Sequence, residues 1–195
     1  MRSIRRGLDI VGDRFPSQIL TLVRSRPETL GSGRLVCIDG PAGGGKTTLA
    51  AALAELVDGV RVVHMDDLYE GWSGLGRVDA QLEALLHPLA SGSRGSYRRY
   101  DWEAGAFAET VEVEPQPLIV LEGVGSGASR FADLITVLVW VDAPRDVRMA
   151  RGMKRDGDAF RPHWENWAKQ EATLFERERT KERADLKVPG QARRR

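Results

Sequence analysis

Residues 40–47 read GPAGGGKT and match G-x-x-x-x-G-K-[ST] at every fixed position: Gly40, Gly45, Lys46 and Thr47. The flanks extend the pattern. An apolar run, LVCI at residues 35–38, precedes it, and TTLAAALAEL at residues 47–56 follows, so rich in Ala and Leu that helix is the expected state. A strand that turns through glycines into a helix lets successive backbone N–H groups converge on an anion at the positive end of the helix. Gly40, Ala42, Gly43, Gly44, Gly45, Lys46, Thr47 and Thr48 are therefore the expected cradle for a nucleotide triphosphate. Lys46 is expected to reach the β- and γ-phosphates, and the Thr47 hydroxyl to coordinate Mg2+. A Gly-rich turn that held a lysine by chance would not carry both flanks.

This loop demands a parallel sheet behind it, and the chain supplies the strands. Residues 34–39, 60–65, 118–121 and 135–142 are continuous apolar runs rich in β-branched residues, with a weaker fifth at 186–188. Runs of that kind fit strands buried on both faces. Residues 78–89 and 146–155 carry helical spacing between them, as do the charged residues 157–183, whose helix is expected to begin near Pro162. Strand–helix alternation predicts an α/β fold with helices on both faces of the sheet. Residues 4–24 read as an additional amphipathic helix with a break at Pro16, and SGSRG at residues 91–95 reads as a loop.

The length of 195 residues fits one domain, and a hydrophobic fraction of 42% is enough for a core. Lys and Arg total 29 against 28 acids, so the net charge of +1 gives no basic footprint for nucleic acid. Arg193–Arg195 read as a solvated tail. The single cysteine, Cys37, lies within the first strand, where Cys usually serves as a small buried hydrophobe. The start has no apolar run of signal-peptide length, and the longest apolar stretches fall far short of a membrane span, so a soluble cytoplasmic protein is expected.

A phosphate loop alone names no reaction. No D-x-x-G follows it, and Thr180-Lys181-Glu182-Arg183 lacks the Asp of a guanine-reading N/T-K-x-D, which argues against a GTPase. The strand at 118–121 ends in a single acid, Glu122, followed by Gly123, rather than the acidic pair of a motor ATPase. At a strand end Glu122 is positioned for Mg2+. Asp66 and Asp67 end the strand at 60–65 on the same rim, where phosphoryl transfer to an alcohol needs a carboxylate to accept the hydroxyl proton. Capping of the following helix is the alternative use of this pair. Arg148, Arg151 and Arg155 stand at i, i+3 and i+7, on one helical face, suited to clamping a triphosphate.

GPAGGGKTT, MDDLY, LIVLEGV and the spacing of these three arginines together resemble the uridine kinase and phosphoribulokinase family, over roughly residues 35–190. The resemblance implies a P-loop NTPase fold of the nucleoside- and nucleotide-kinase kind, with a five-stranded parallel sheet in the order 2-3-1-4-5 and a helical lid. It implies Asp66 as catalytic base, Tyr69 beside the substrate, and Glu122 with Thr47 at Mg2+. The family's Tyr-Asp-Phe segment, which packs on the nucleoside base, reads Tyr100-Asp101-Trp102 here. The chain also departs from the pattern. Leu68 stands for the Phe of Asp-x-Phe-Tyr, no His lies within residues 104–109, and the segment around Gly71 and Trp72 is not standard for a uridine kinase.

The expectation is a single kinase domain over residues 1–195, with an N-terminal helical extension over 1–30 and a lid at about 145–165. ATP and Mg2+ are its expected cofactors. Its partner is a small-molecule, nucleoside-like acceptor, with no nucleic acid and no membrane; a homo-oligomer is left open. Catalysis is assigned to Asp66, Lys46, Arg148, Arg151 and Arg155. Two alternatives stay open: a kinase of another small alcohol such as pantothenate, a sugar or a sugar phosphate, and a non-catalytic ATP-binding regulator.

Overall fold

The computed structural model describes residues 14–157 and 161–190, with the side chains of Arg155 and Asp156 outside that description. Five parallel strands form the central sheet: β1 (Arg34–Asp39), β2 (Arg61–His64), β5 (Leu118–Glu122), β6 (Val137–Asp142) and β7 (Leu186–Pro189). Their order is β2-β5-β1-β6-β7. Counting only these five, it reads 2-3-1-4-5, as expected. β1 lies at the centre, in register with β5 (Arg34 opposite Leu118, Ile38 opposite Glu122) and with β6 (Val36 opposite Val137).

The strand period of two divides each strand between two cores. Leu35 and Cys37 of β1 join Val63, Ile119 and Leu121 on one face, covered by Leu82, Leu85, Leu86 and Leu89 of α3 (Asp79–Ala90) and by Trp167 and Leu174 of α5 (Arg161–Glu178). Val36 and Ile38 join Val120, Val139 and Val141 on the other, under Ile19, Leu20 and Val23 of α1 (Arg14–Ser25) and Leu49, Ala50 and Leu53 of α2 (Lys46–Ala54). Each such side chain withdrawn from water contributes about 1.5–3 kcal/mol. Cys37 is fully buried and its thiol pKa is pushed well up, first by burial, as suits a packing residue.

Three expectations are corrected at their edges. The second strand stops at His64, and Met65–Asp67 form a 3-10 turn, so Asp66 and Asp67 lie on the turn that directly follows the strand rather than on the strand itself. Neither caps α3, whose N-cap is Val78. Pro16 does not break α1, which runs through it from Arg14 to Ser25. Residues 1–13, 158–160 of the expected lid and the basic tail lie outside the described residues.

The larger difference is a two-stranded antiparallel sheet, β3 (Gly95–Asp101) with β4 (Ala106–Val113), where the sequence suggested a loop and an isolated aromatic segment. Gly95 starts β3 tight against α3: a Cβ there would lie 2.1 Å from the Leu85 carbonyl oxygen. Two helices, α4 (Arg145–Asp156) and the short α6 (Thr180–Arg183), and 3-10 segments at Gly71–Ser73, Leu75–Arg77 and Ser129–Leu134 complete the described elements.

Candidate functional site

The phosphate loop joins the C-terminal end of β1 to α2, and its glycines are fixed by close approach. At Gly43, with φ +74°, a Cβ would lie 2.5 Å from the Arg148 carbonyl oxygen, so α4 rests directly on the loop. At Gly40, with φ +135°, it would meet the Val141 carbonyl oxygen at 2.0 Å. Lys46 is buried and donates from Nζ to the carbonyls of Gly40 (2.8 Å) and Pro41 (3.0 Å), so its ammonium lies folded along the loop. Thr47 and Thr48 occupy the exposed first turn of α2.

Register carries the acids to the same rim. Ile38, the penultimate residue of β1, pairs with Glu122 of β5, which pairs on its other side with His64 of β2. The Thr47 hydroxyl donates to Glu122 Oε1 at 3.0 Å, and His64 Nδ1 meets the same oxygen at 2.6 Å. That hydrogen bond raises the His64 pKa, against the opposing effect of burial, and the charges of Glu122, Asp67 and Asp66 add to the rise. A hydroxyl and a carboxylate sharing one point form an oxygen donor set of the kind Mg2+ takes together with phosphate oxygens and water. Asp66 lies two residues past His64, and its carbonyl accepts from Trp102 Nε1 at 2.9 Å. Asp67 is drawn aside: burial raises its pKa, while His64, Arg99 and the Tyr97 hydroxyl oppose the rise.

Two of the three arginines reach the loop. Arg148 Nε donates to the Ala143 carbonyl at 3.0 Å and Nη1 to the Ala42 carbonyl at 3.4 Å. Arg151 Nη1 donates to the carbonyls of Gly43 (3.0 Å) and Gly44 (3.4 Å). The Arg155 side chain lies outside the described residues. Both visible guanidiniums thus stand over the cradle, bonded to its carbonyls.

The expected acceptor residues divide. Tyr69 is fully buried, with its hydroxyl donating to the Val124 carbonyl at 2.6 Å and its ring edge-on to Trp167 at 5.2 Å. A contact with substrate through Tyr69 is therefore corrected to a packing contact in this structure. Asp101 is likewise committed to its hairpin: Oδ1 accepts from the N–H groups of Glu103 and Ala104, both at 3.0 Å, and those bonds hold its pKa low. Trp102 is 40% exposed and belongs to an aromatic group beside Asp66. Trp72 lies edge-on to Trp102 (5.1 Å) and to Trp167 (5.9 Å) and stacks on His163 at 4.8 Å, while Tyr100 lies edge-on to Trp102 at 5.3 Å.

Two acids beside the loop were not anticipated. Asp39, fully buried, accepts from the N–H groups of Gly40 (2.7 Å), Gly125 (2.9 Å) and Gly127 (2.9 Å), binding the phosphate loop to the loop after Glu122. Burial lifts its pKa to about 6 against those hydrogen bonds and the charge of Lys46. Glu171, 3% exposed, accepts from Ala42 N–H at 2.6 Å and from Trp167 Nε1 at 2.8 Å. The available signal was an acid on an apolar stripe: Trp164, Trp167, Glu171 and Leu174 are all buried on α5.

Comparison with known proteins identifies relatives of the chain. The model of the phosphoribulokinase / uridine kinase family matches residues 78–164. The uridine kinase of Latilactobacillus sakei subsp. sakei (strain 23K) is 30% identical over 178 residues, covering 80% of this chain and 84% of that protein. The uridine kinase of Borrelia duttonii (strain Ly) is 26% identical over 182 residues, covering 80% and 86%. The solved structure of a possible uridine kinase from Bacillus stearothermophilus superposes with a TM-score of 0.64 at 23% identity, over 90% of this chain and 98% of that one, a likeness of fold. With the phosphate loop, the strand order and these relatives together, the chain belongs to the phosphoribulokinase / uridine kinase family and is a phosphotransferase.

Proposed function

We propose that this enzyme transfers the γ-phosphoryl group of ATP to a hydroxyl of a nucleoside of the uridine or cytidine kind, with Mg2+. The observation that carries the reading is the convergence, on one rim, of the phosphate loop, the Thr47–Glu122 pair and the turn bearing Asp66. Thr47 and Glu122 would hold Mg2+, which when bound would offset the charge of the phosphates. Gly43, Gly45 and the start of α2 offer backbone N–H groups to the phosphates, while Gly44 N–H donates to the Pro41 carbonyl at 3.0 Å. Lys46, Arg148 and Arg151 would exchange loop carbonyls for phosphate oxygens as the nucleotide enters, and Arg155 follows them in sequence toward the lid. Asp66 would orient the acceptor hydroxyl and take its proton. Trp102 and Tyr100 offer ring faces to a planar acceptor, in line with relatives named uridine kinase.

A second reading, a kinase of another small alcohol, rests on the Trp72–His163 stack, since the residues 104–109 that follow Trp102 contain no His. Incubation with ATP, Mg2+ and a panel of nucleosides, vitamins and sugars separates these readings through ADP release dependent on one acceptor. ATP binding with no acceptor-dependent turnover would favour a regulator. D66N is expected to lower kcat by about 10²–10⁴-fold while nucleotide affinity stays near wild type; near-normal turnover in D66N would remove Asp66 from the role of base.

A further inference from the structure

An anion already sits in the phosphate loop. Ala42 is the third residue of that loop, and its N–H is taken by Glu171 at 2.6 Å. The same carboxylate oxygen accepts from Trp167 Nε1 at 2.8 Å, one helical turn away on α5. The other oxygen lies 3.9 Å from Arg148 Nη1. Glu171 also lies within the field of Lys46, and the Tyr69 phenol faces the same interior. So a buried carboxylate takes a backbone donor of the cradle, lies beside Arg148 and feels the charge of Lys46, the two cations that the terminal phosphates would use. Burial raises the pKa of its carboxyl, with Lys46, the Ala42 N–H, Trp167 and Arg148 opposing the rise, so the charge is held by those partners rather than by water.

We propose that Glu171 is a positioning residue that stands in for the terminal phosphate of the nucleotide, holding Ala42 and Arg148 in place in the empty enzyme and competing with the γ-phosphate for them. The inference rests on the reading of the loop as an ATP site. Two functions follow from one contact. Without nucleotide, Glu171 satisfies a buried N–H and offsets the crowding of Lys46 and Arg148, which keeps the loop in its binding shape. With ATP, a carboxylate beside the γ-phosphate opposes it by like charge, so Glu171 must give way as the third phosphate arrives. ADP, which ends one phosphate short, meets less of this opposition. Glu171 therefore lowers affinity for ATP more than for ADP and narrows the difference between the two.

Calorimetric Kd values for ADP–Mg2+ and for a non-hydrolysable ATP analogue with Mg2+, measured on the full chain, decide it. E171Q keeps an oxygen that accepts from Ala42 and Trp167 but carries no charge. Its expected result is tighter binding of the ATP analogue by at least about tenfold, with a smaller gain for ADP, so that the ratio of the two Kd values shifts. E171A, measured alongside, is expected to move the same ratio in the same direction. A residue that only supports the fold would lower the melting temperature and leave that ratio unmoved. Equal gains for both nucleotides, or no gain for either, overturn the competition while leaving the ATP site intact. Absence of nucleotide binding in the wild type and both variants overturns the ATP reading, and the inference with it.

Discussion

At the end of β1, Asp39 titrates against a set of partners made of backbone N–H groups from two loops. Its folded-state pKa of about 6 lies above the ordinary 3.8, so the folded protein binds this proton more tightly than the unfolded chain does. The sign is the reverse of the usual carboxylate. Its contribution to stability is greatest below about pH 4, falls as pH climbs toward 6, and is spent above that, a change of about 3 kcal/mol in all. D39N carries no charge at any pH and should lack this slope. Urea unfolding at several values between about pH 4 and pH 7 should show the difference between the two proteins moving by about that amount in favour of D39N; parallel curves would contradict the assignment. Asp39 was not legible as a site residue because an acid ending a strand looks the same in sequence whether it faces water or three buried amides. Lys46 and Thr47 were legible because their spacing from Gly40 and Gly45 is a requirement of the turn itself. Glu171 was hidden by its helix: periodicity assigns the position to the core, and only burial beside Ala42 reveals what the charge is for.

The central strands could be read from sequence because each is apolar on both faces. β3 and β4 could not, because Ser96, Arg98, Arg99, Glu109 and Glu112 leave neither strand an apolar run and both lie largely outside the core. Their pairing is held by ladder bonds and by surface contacts such as Arg99 with Glu109 at 2.6 Å, exposed and worth little in stability. What the hairpin contributes is position. It carries Trp102 to the carbonyl of Asp66, within the turn whose conformation sets where the proposed base points. W102A removes that hydrogen bond and an exposed ring face. The expected outcome, read from steady-state kinetics, is a rise of roughly tenfold or more in KM for the acceptor, with KM for ATP close to wild type. A change confined to ATP would detach the hairpin from the acceptor side.

The sheet is closed across its far edge by a latch that joins α1 to β7. Arg26, just past α1, donates to the Thr136 carbonyl and to Asp185, both at 2.7 Å, and the other Asp185 oxygen accepts from Leu138 N–H at 2.8 Å. Burial works against ionisation of Asp185, yet the Arg26 and Leu138 hydrogen bonds hold its pKa below the ordinary value. Its stabilisation is therefore present at neutral pH and is lost as pH falls through that lowered value. D185A leaves Leu138 N–H without this partner and should cost about 1–3 kcal/mol by denaturant unfolding. Leu53→Ala, which opens a cavity between α2 and the sheet, should cost about 2–5 kcal/mol by the same measurement. The effect of D185A should also reach the loop, since Gly190, just past β7, accepts from Arg151 at 3.4 Å and passes close to Gly44.

Three of the chain's five tryptophans, Trp72, Trp102 and Trp167, come from the 3-10 segment after Asp66, the hairpin and α5, with ring centroids 5.1 and 5.9 Å apart at steep angles. Indoles so close and so inclined are expected to couple their electronic transitions, giving the folded protein a circular dichroism signature of its own. Because one indole rides on each of three elements, a movement of the hairpin relative to α5 changes that coupling without any label. Such a signal would report, from the protein's own residues, how the hairpin sits against α5.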